Sequence, residues 1–388
     1  MRSIICLSLL LILLLFINAG AGQASTSCTS NIIDQTQTVT SPVEINTSPT
    51  APFEDVKLSA LNETAWESYS FEGVSNIGTS GVSFNFYRNP SLTAHEYGVV
   101  WVEINAVWNN GTQWSTILWQ NQSVITVCDV DDDAATYGSW HDLSGLTSFT
   151  FHVPRTLASA NLSLFGTGVE GSWQIISIAP PMTANGTGQA NPHGSVELAP
   201  LTYWNEAIPM ATMNATFYFS GTEFDLQGFG GHWRNWAAYN WNYLARSWYR
   251  VRAVAGPYTL IYWTLTSAVD SQTYTSGILT QNGTKIFATR NGNQTLGSSS
   301  AIFWLSYSGS VHGSYDDNST GIIVQLVGGG KEWRFFITHM NVLSETPHGS
   351  PEAYTSFVNT VLGGEIGGPQ FDGVATSDQA VIENPALM

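Results

Sequence analysis

The 388-residue sequence sets 12 Lys and Arg against 29 Asp and Glu, a formal charge of −17. Such a chain repels a phosphate backbone, which excludes nucleic acid as a partner. With 15 Trp, 15 Tyr and 18 Phe, its interior is expected to handle a small apolar molecule rather than a metal or a nucleotide.

Residues 1–24 read as a signal peptide: Arg2, an apolar run from Ile4 to Ile17, then small residues around Ala19-Gly20-Ala21 and Gly22-Gln23-Ala24 that suit signal peptidase. The run is too short for a good spanning helix, and no other stretch could cross a bilayer, so the expected location is the secretory pathway. Residues 25–60, rich in Ser, Thr and Pro, read as an extended arm. The mature chain exceeds the usual size of one core, which favours two domains, placed at 61–200 and 201–388.

Helix signals are scarce, and short alternating segments rich in Val, Ile, Thr and aromatics recur between Gly, Asn and Asp clusters. The fold expected is all-β, with two barrel or sandwich domains. In the first, strands are predicted near 65–72, 82–88, 98–107, 113–119, 122–128, 147–153 and 171–178. Residues 180–200, with Pro180-Pro181 and Asn185-Gly186, read as a connector. Strands resume near 210–219, 222–228, 248–254, 258–266, 284–289, 301–307, 322–327 and 332–339, followed by a glycine-rich tail.

Cys28 and Cys128 are the cysteines left once the leader, with Cys6, is removed. In an oxidising compartment they either pair, closing a loop of about a hundred residues, or stay apart as two separate thiols. Ten Asn-x-Ser/Thr sequons occur, at Asn46, Asn62, Asn110, Asn121, Asn161, Asn185, Asn214, Asn282, Asn293 and Asn318. At Asn110, Asn185 and Asn282 the sequon is Asn-Gly-Thr, a favoured hairpin turn that would hold a glycan at an exposed tip.

Signatures of nucleophilic, metal and phosphate chemistry are missing: the sequence has no G-x-S-x-G, H-E-x-x-H, C-x-x-C or P-loop. Gly166 to Gly171 matches G-x-G-x-x-G but joins two β-like segments and reads as a turn. The acidic run Asp129, Asp131, Asp132 and Asp133 lacks the ordered spacing of a calcium loop and reads as a solvated turn. Residues 228–243 put Trp233, Trp236 and Trp241 beside His232, Arg234, Tyr239 and Tyr243. That periodicity fits neither helix nor strand, so the segment either covers a cavity or plugs a barrel end. Alternation sets Glu67 with Tyr69 and Phe71, His339 with Trp333, Phe335 and Ile337, and Glu103 between Trp101 and Asn105. Each of these polar groups is either a satisfied core group or part of a site.

Four stretches, Thr64 to Gly73, the Trp-rich segment through Trp236, Tyr249-Arg250-Val251-Arg252 leading to Gly256-Pro257-Tyr258, and Gly363 to Gly367 followed by Phe371 to Val374, together resemble the fungal Diels-Alderases. These are cofactor-free cyclases similar to hydroxyneurosporene synthase (carotenoid hydratase) proteins. The resemblance implies a lipocalin-like β fold in two domains, with a pocket at or near their junction to which Glu67 and Trp236 contribute. Ser344 stands where many decalin-forming members carry tryptophan before a Thr-Pro, here Thr346-Pro347, which implies a different substrate. The leader and sequons look more like the glycosylated hetero-Diels-Alderases that join a tropolone quinone methide to a humulene-type sesquiterpene.

On this reading Trp233, Trp236 and Tyr258 form apolar walls, extended by Trp241, Trp101 and Tyr69. Arg234, His232 or His339 donates a hydrogen bond to a conjugated carbonyl, and Glu67 orients a substrate hydroxyl or the donor. A cycloaddition needs no nucleophile, cofactor or metal, because alignment and a well-placed donor lower its barrier. The partner expected is a small apolar polyketide or terpenoid, with the oligomeric state open. Other readings are an intramolecular decalin or cytochalasan cyclase, a hydratase using a carboxylic acid, a secreted glycosidase with paired carboxylates, and a non-catalytic carrier.

Overall fold

The structure, a computed structural model, describes residues 27–90, 97–129, 134–292, 299–314, 318–346 and 352–382. The leader, Asp131 to Asp133, the sequon at Asn293, and Pro347 lie outside the described residues. The chain is nearly all β, with one sheet shaped as a half-barrel and another as a nearly closed barrel.

Fourteen strands form the first sheet. It runs from Cys28–Asp34 through Gln122–Cys128 and the meander up to Val169–Ser177, crosses the long hairpin Thr202–Phe219 and Thr222–Ala237, and continues through Trp66–Ser75, Gly81–Arg88 and Val100–Val107 to Gln113–Trp119. Its inner face closes on one cluster that includes Phe71, Phe84, Phe86, Trp140, Phe151 and Trp173. Nine strands form the second sheet, from Thr284–Gly292 through Ala245–Ala255, Phe371–Ile382 and Glu352–Glu365 to Ser299–Ser306. Tyr262, Leu326, Trp333 and Phe335 fill its interior. Pairing is antiparallel throughout and joined by short turns. At Asn282-Gly283 both φ angles are positive, 50° and 73°, as a tight hairpin of this hand requires.

The two sheets pack face to face. Along Trp66–Ser75, Glu67, Tyr69 and Phe71 point inward, whereas Trp66, Ser68, Ser70, Glu72 and Val74 point toward the second sheet. All ten residues of this strand are buried.

Several expectations are corrected by this arrangement. The division at 200/201 falls inside the first sheet, because both long hairpin strands pair within it; the chain crosses to the second sheet after Ala237, through the single turn Trp241–Leu244. The connector holds two short strands, Met182–Thr183 and Glu197–Ala199, and packs Met182, Ala184 and Leu198 against the junction. The arm is structured at both ends: Cys28–Asp34 is a strand, and Phe53, Glu54, Lys57 and Leu58 are buried beneath the first sheet. The Trp-rich segment is a strand up to Ala237, and it lacks visible alternation because both its faces are covered. The glycine-rich tail is two strands of the second barrel, and residues 166–169 form the expected turn.

Cys28 lies opposite Cys128 in the antiparallel register, and the two form a disulfide across a separation of 100 residues. Of the sequons, Asn110, Asn121, Asn161, Asn214, Asn282 and Asn318 are exposed, and Asn46 and Asn62 are half-buried. Asn185 is not an exposed tip. Its Oδ1 accepts from Thr183, Thr187 and the Ser195 N–H, and its Nδ2 donates to the His193 carbonyl.

A loop of this length restricts the unfolded chain by about 4 to 5 kcal/mol in the chain-entropy account. Replacing both Cys28 and Cys128 by serine is expected to lower unfolding free energy by about 3 to 5 kcal/mol, read from urea midpoints, with the far-ultraviolet spectrum unchanged.

Candidate active site

The predicted site residues fall in three places. Glu67, Tyr69, His232, Arg234 and Trp236 face into the first sheet, where the segment around Phe53 to Lys57 covers them. Glu67 Oε1 accepts from Arg88 Nη1 at 3.1 Å, and its Oε2 accepts from Arg234 Nη2 at 2.8 Å and from the Lys57 N–H at 3.1 Å. Arg234 Nη1 donates to the carbonyls of Phe53 and Asp55 at 2.9 and 2.5 Å, and its guanidinium lies 3.8 Å over the Tyr69 ring. His232 bonds the Ser70 carbonyl at 2.9 Å and Glu54 at 3.0 Å, and stacks on Phe71. Trp236 Nε1 donates to the Asn46 carbonyl at 3.1 Å. Glu67 and Arg234 are both fully buried. This constellation is an ionic core holding the N-terminal segment in place, not an open pocket, and it corrects the roles expected of these residues.

His339 and Tyr258 lie inside the second barrel. His339 stacks on Phe357 at 3.7 Å and bonds Asn359 at 2.7 Å, while Tyr258 packs edge-on to Phe335 and Phe371. Asp129, from the acidic run, pairs with Arg155.

Trp233, Trp241 and Trp101 face the junction, and the strand register builds a patch around them. One row runs Trp204, Asn235, Ser68, Tyr87, Trp101, Trp119; the next runs Glu206, Trp233, Ser70, Asn85, Glu103, Ile117. Above them lie Trp248, Arg250, Trp263, Tyr354 and Asp378 of the second sheet. Trp263 meets Trp204 and Trp233 edge-on, and Tyr87 stacks on Trp101 at 3.9 Å. Trp241 fills the corner between Trp66 and Trp248 at 5.0 and 4.8 Å.

Asn85, Tyr87, Glu103, Trp233 and Tyr354 stay half-buried although they lie between two sheets, and Ile117 at the end of the second row is 48% exposed. They outline a cleft whose mouth is the edge of the first sheet. Deeper in, Asn235 is 1% exposed, and neither its Oδ1 nor its Nδ2 has a partner among the described residues; the same holds for Ser70 Oγ and Trp233 Nε1. Buried amides are almost always paired, so an amide without a partner is an exception that calls for an explanation.

The cleft floor is fixed by charge. Arg250 grips Glu72 with both terminal nitrogens at 2.8 and 2.6 Å, reaches Asp378 through Nε at 2.7 Å, and lies 4.4 Å over Trp233. Arg252 bridges Glu72 at 2.8 Å and Glu206 at 2.6 Å. Trp248 Nε1 donates to Asp378 at 2.9 Å. Burial pushes the Glu72 carboxyl up, but the two guanidiniums outweigh it and hold the group at about 2. At Glu206 burial wins against Arg252 and raises the carboxyl to about 7; its Oε1 is unpartnered among the described residues. Burial, then the Asp378 carboxylate, raises the Tyr354 phenol, with Glu103 and Tyr87 also contributing. A separate groove of about 230 Å³ between Asn76, Gln174, Thr212, Asn214, Gln227 and Phe229 has no ionisable group in its lining.

Sequence reasoning passed over Ser70, Asn85, Asn235 and Tyr354. The signal for Asn235 was its parity with Trp233.

The Diels-Alderase-like family model matches residues 25–383 of the chain. The protein belongs to the Diels-Alderase-like family. Its relatives include Diels-Alderase mycB of Thermothelomyces thermophilus, 30% identical over 371 residues spanning 92% of this chain and 83% of that protein. Hexane cyclase gkaB of Penicillium citrinum is 31% identical over 322 residues, 79% of this chain and 72% of that protein. The crystal structure of CghA with Sch210972 superposes with a TM-score of 0.79 over 92% of this chain and 100% of that one, at 22% identity, so this Diels-Alderase-like chain shares its fold.

Two tests separate the ionic core from the cleft. Glu67→Gln leaves Arg88 and Arg234 short of a buried countercharge, and is expected to cost about 3 to 5 kcal/mol of stability in chemical denaturation. Burial, with Arg234 adding to it, pushes the Lys57 ammonium down from 10.5 to about 7. The unfolded chain therefore holds that proton where the folded chain has released it, and the Lys57 contribution to stability rises with pH above about 7. Urea midpoints compared at pH 7 and pH 9 are expected to show this rise in the wild type and a flatter profile in Lys57→Met.

Proposed function

We propose that this protein is a pericyclase that binds a small apolar polyene in the cleft between its two sheets and aligns it for cycloaddition. The observation that carries this reading is Asn235: a buried carboxamide with neither polar atom partnered among the described residues, beside Trp204 and Trp233 in a chain of the Diels-Alderase-like family. A concerted cycloaddition requires two ends of a π system held within bonding distance, and rigid indole walls supply that constraint. Polarising the acceptor alkene requires a donor at its conjugated carbonyl, and Asn235 Nδ2 and Trp233 Nε1 are donors with capacity to give. In an enclosed apolar site such a bond strengthens as charge grows on the carbonyl oxygen. Glu67, Arg234 and His232 act on this site only by holding the first sheet in shape.

Within that class we favour an intermolecular hetero-Diels-Alder reaction of a tropolone quinone methide with a humulene-type sesquiterpene, carried out in the secretory pathway. The leader-like N-terminus, the disulfide Cys28–Cys128 and the six exposed sequons support this choice.

The test is product analysis with the quinone methide precursor and humulene, against the uncatalysed background. Asn235→Leu is expected to slow product formation about 10- to 100-fold, the loss of one enclosed hydrogen bond, and Trp233→Phe to change the stereoisomer ratio, each with an unaltered melting temperature. Unchanged rate and ratio in both variants would remove the cleft as the active site. Incorporation of labelled solvent oxygen into the product would identify a hydratase instead.

A further inference from the structure

The groups that face the cleft are unevenly charged. Its floor sets the carboxyls of Glu72, Glu206 and Asp378 against the two guanidiniums of Arg250 and Arg252. Arg250 is committed to Glu72 and Asp378, and Arg252 to Glu72, Glu206 and the Ile208 and Pro209 carbonyls. Neither arginine is placed to receive an anionic guest. At the mouth, Glu103 has no cation beside it among the described residues; its partners are Asn105 Nδ2 at 3.1 Å and Asn85 Nδ2 at 3.5 Å. Glu103 lies in the row between the exposed Ile117 and the half-buried Asn85, so a guest entering from that edge meets this carboxyl first.

We propose that the cleft selects neutral guests that carry a hydroxyl or N–H over anionic ones, and that Glu103 is the residue that sets this selectivity. The proposal rests on the cleft being the substrate site and adds the class of substrate it admits. Two like charges brought together where water is scarce repel strongly, and one must be neutralised or stay outside. Burial already raises the Glu103 carboxyl, its two amide partners opposing the shift, so this group lies where a second negative charge is least tolerated. A neutral guest meets no such cost. Its hydroxyl or N–H can donate to Glu103 at the mouth while its apolar body lies against Tyr87 and Trp101 of the neighbouring row. The carboxylate or enolate of an otherwise identical molecule would lose that bond and meet repulsion in its place.

The probes are N-phenyl-1-naphthylamine, neutral with one N–H, and 1-anilinonaphthalene-8-sulfonate, the same skeleton carrying a sulfonate. Binding is followed by energy transfer from tryptophan in 150 mM salt, with the full-length protein. The wild type is expected to bind the neutral dye at least tenfold more tightly than the sulfonate. Glu103→Gln, which keeps size and one of the two accepted bonds but removes the charge, is expected to tighten the sulfonate at least threefold and leave the neutral dye within twofold. A merely structural role for Glu103 would move both dyes together. Equal affinities in the wild type, or a ratio that Glu103→Gln leaves unchanged, would overturn the charge selectivity while leaving the cleft intact. Neutral-dye affinity that Trp233→Ala does not weaken would overturn both the selectivity and the site it belongs to.

Discussion

The two sheets are held in register by one buried ionic clamp, in which Glu72 of the first sheet lies between Arg250 and Arg252 of the second. Apolar contacts such as Val74 with Val254 and Val358 tolerate sliding, whereas a bidentate guanidinium and carboxylate pair fixes both distance and plane. The arrangement carries a steep desolvation cost that only close pairing offsets, so a small displacement of one sheet would leave charges buried and unpaired. Gly231 makes room for it: a Cβ there would lie 1.6 Å from Arg252 Nη1, and any other residue would push the guanidinium off Glu206. Because Arg250 also covers Trp233, the clamp that sets the spacing of the sheets sets the position of an indole in the cleft wall as well.

Many strands were readable where β-branched and aromatic residues alternate between turns, but Cys28–Asp34, Ala135–His141, Ser159–Gly166, Thr273–Gln281, Glu352–Glu365 and Phe371–Ile382 were not predicted as strands. Which face of a strand met which partner was not readable. Glu67 was correctly set on one face with Tyr69 and Phe71, but Trp66–Ser75 is buried on both sides, so polarity gave no hint that Glu72 and Ser70, not Glu67, face the cleft. The same parity problem recurs at 232–236. His232, Arg234 and Trp236 point into the ionic core, and Trp233 and Asn235, one position off, point into the cleft.

What sequence reading lacked was the N-terminal cover. Phe53, Asp55 and Lys57 supply backbone groups to Arg234 and Glu67 across more than a hundred residues for the former, and composition made that segment look like an extended arm. Without it, Glu67, Arg234 and His232 would have lined an open half-barrel, much as a catalytic cluster does. A feature that could have warned against this was the pair Arg250 and Arg252. Two arginines at i and i+2 in a strand share a face, and two such charges on a buried face demand acids opposite, which points to a second sheet bearing Glu72 and Glu206.

The two polar clusters differ in which of their groups carry the pairing. In the ionic core each Glu67 oxygen and both ring nitrogens of His232 have partners, although Tyr69 Oη, Arg234 Nε and Glu54 Oε1 have none among the described residues. In the cleft the charged groups pair across the two sheets, with Glu206 Oε1 left over, while the neutral side-chain polar atoms of Asn235, Ser70 and Trp233 have no partner among the described residues. A reaction that proceeds by alignment favours the second arrangement. Its catalyst must hold shape rigidly and yet offer a few weak, uncommitted donors that strengthen only as the transition state forms. On the proposed reading, a clamp of strong pairs beside a cleft of unpaired neutral groups meets both requirements, because the rigidity and the chemistry would rest on different residues.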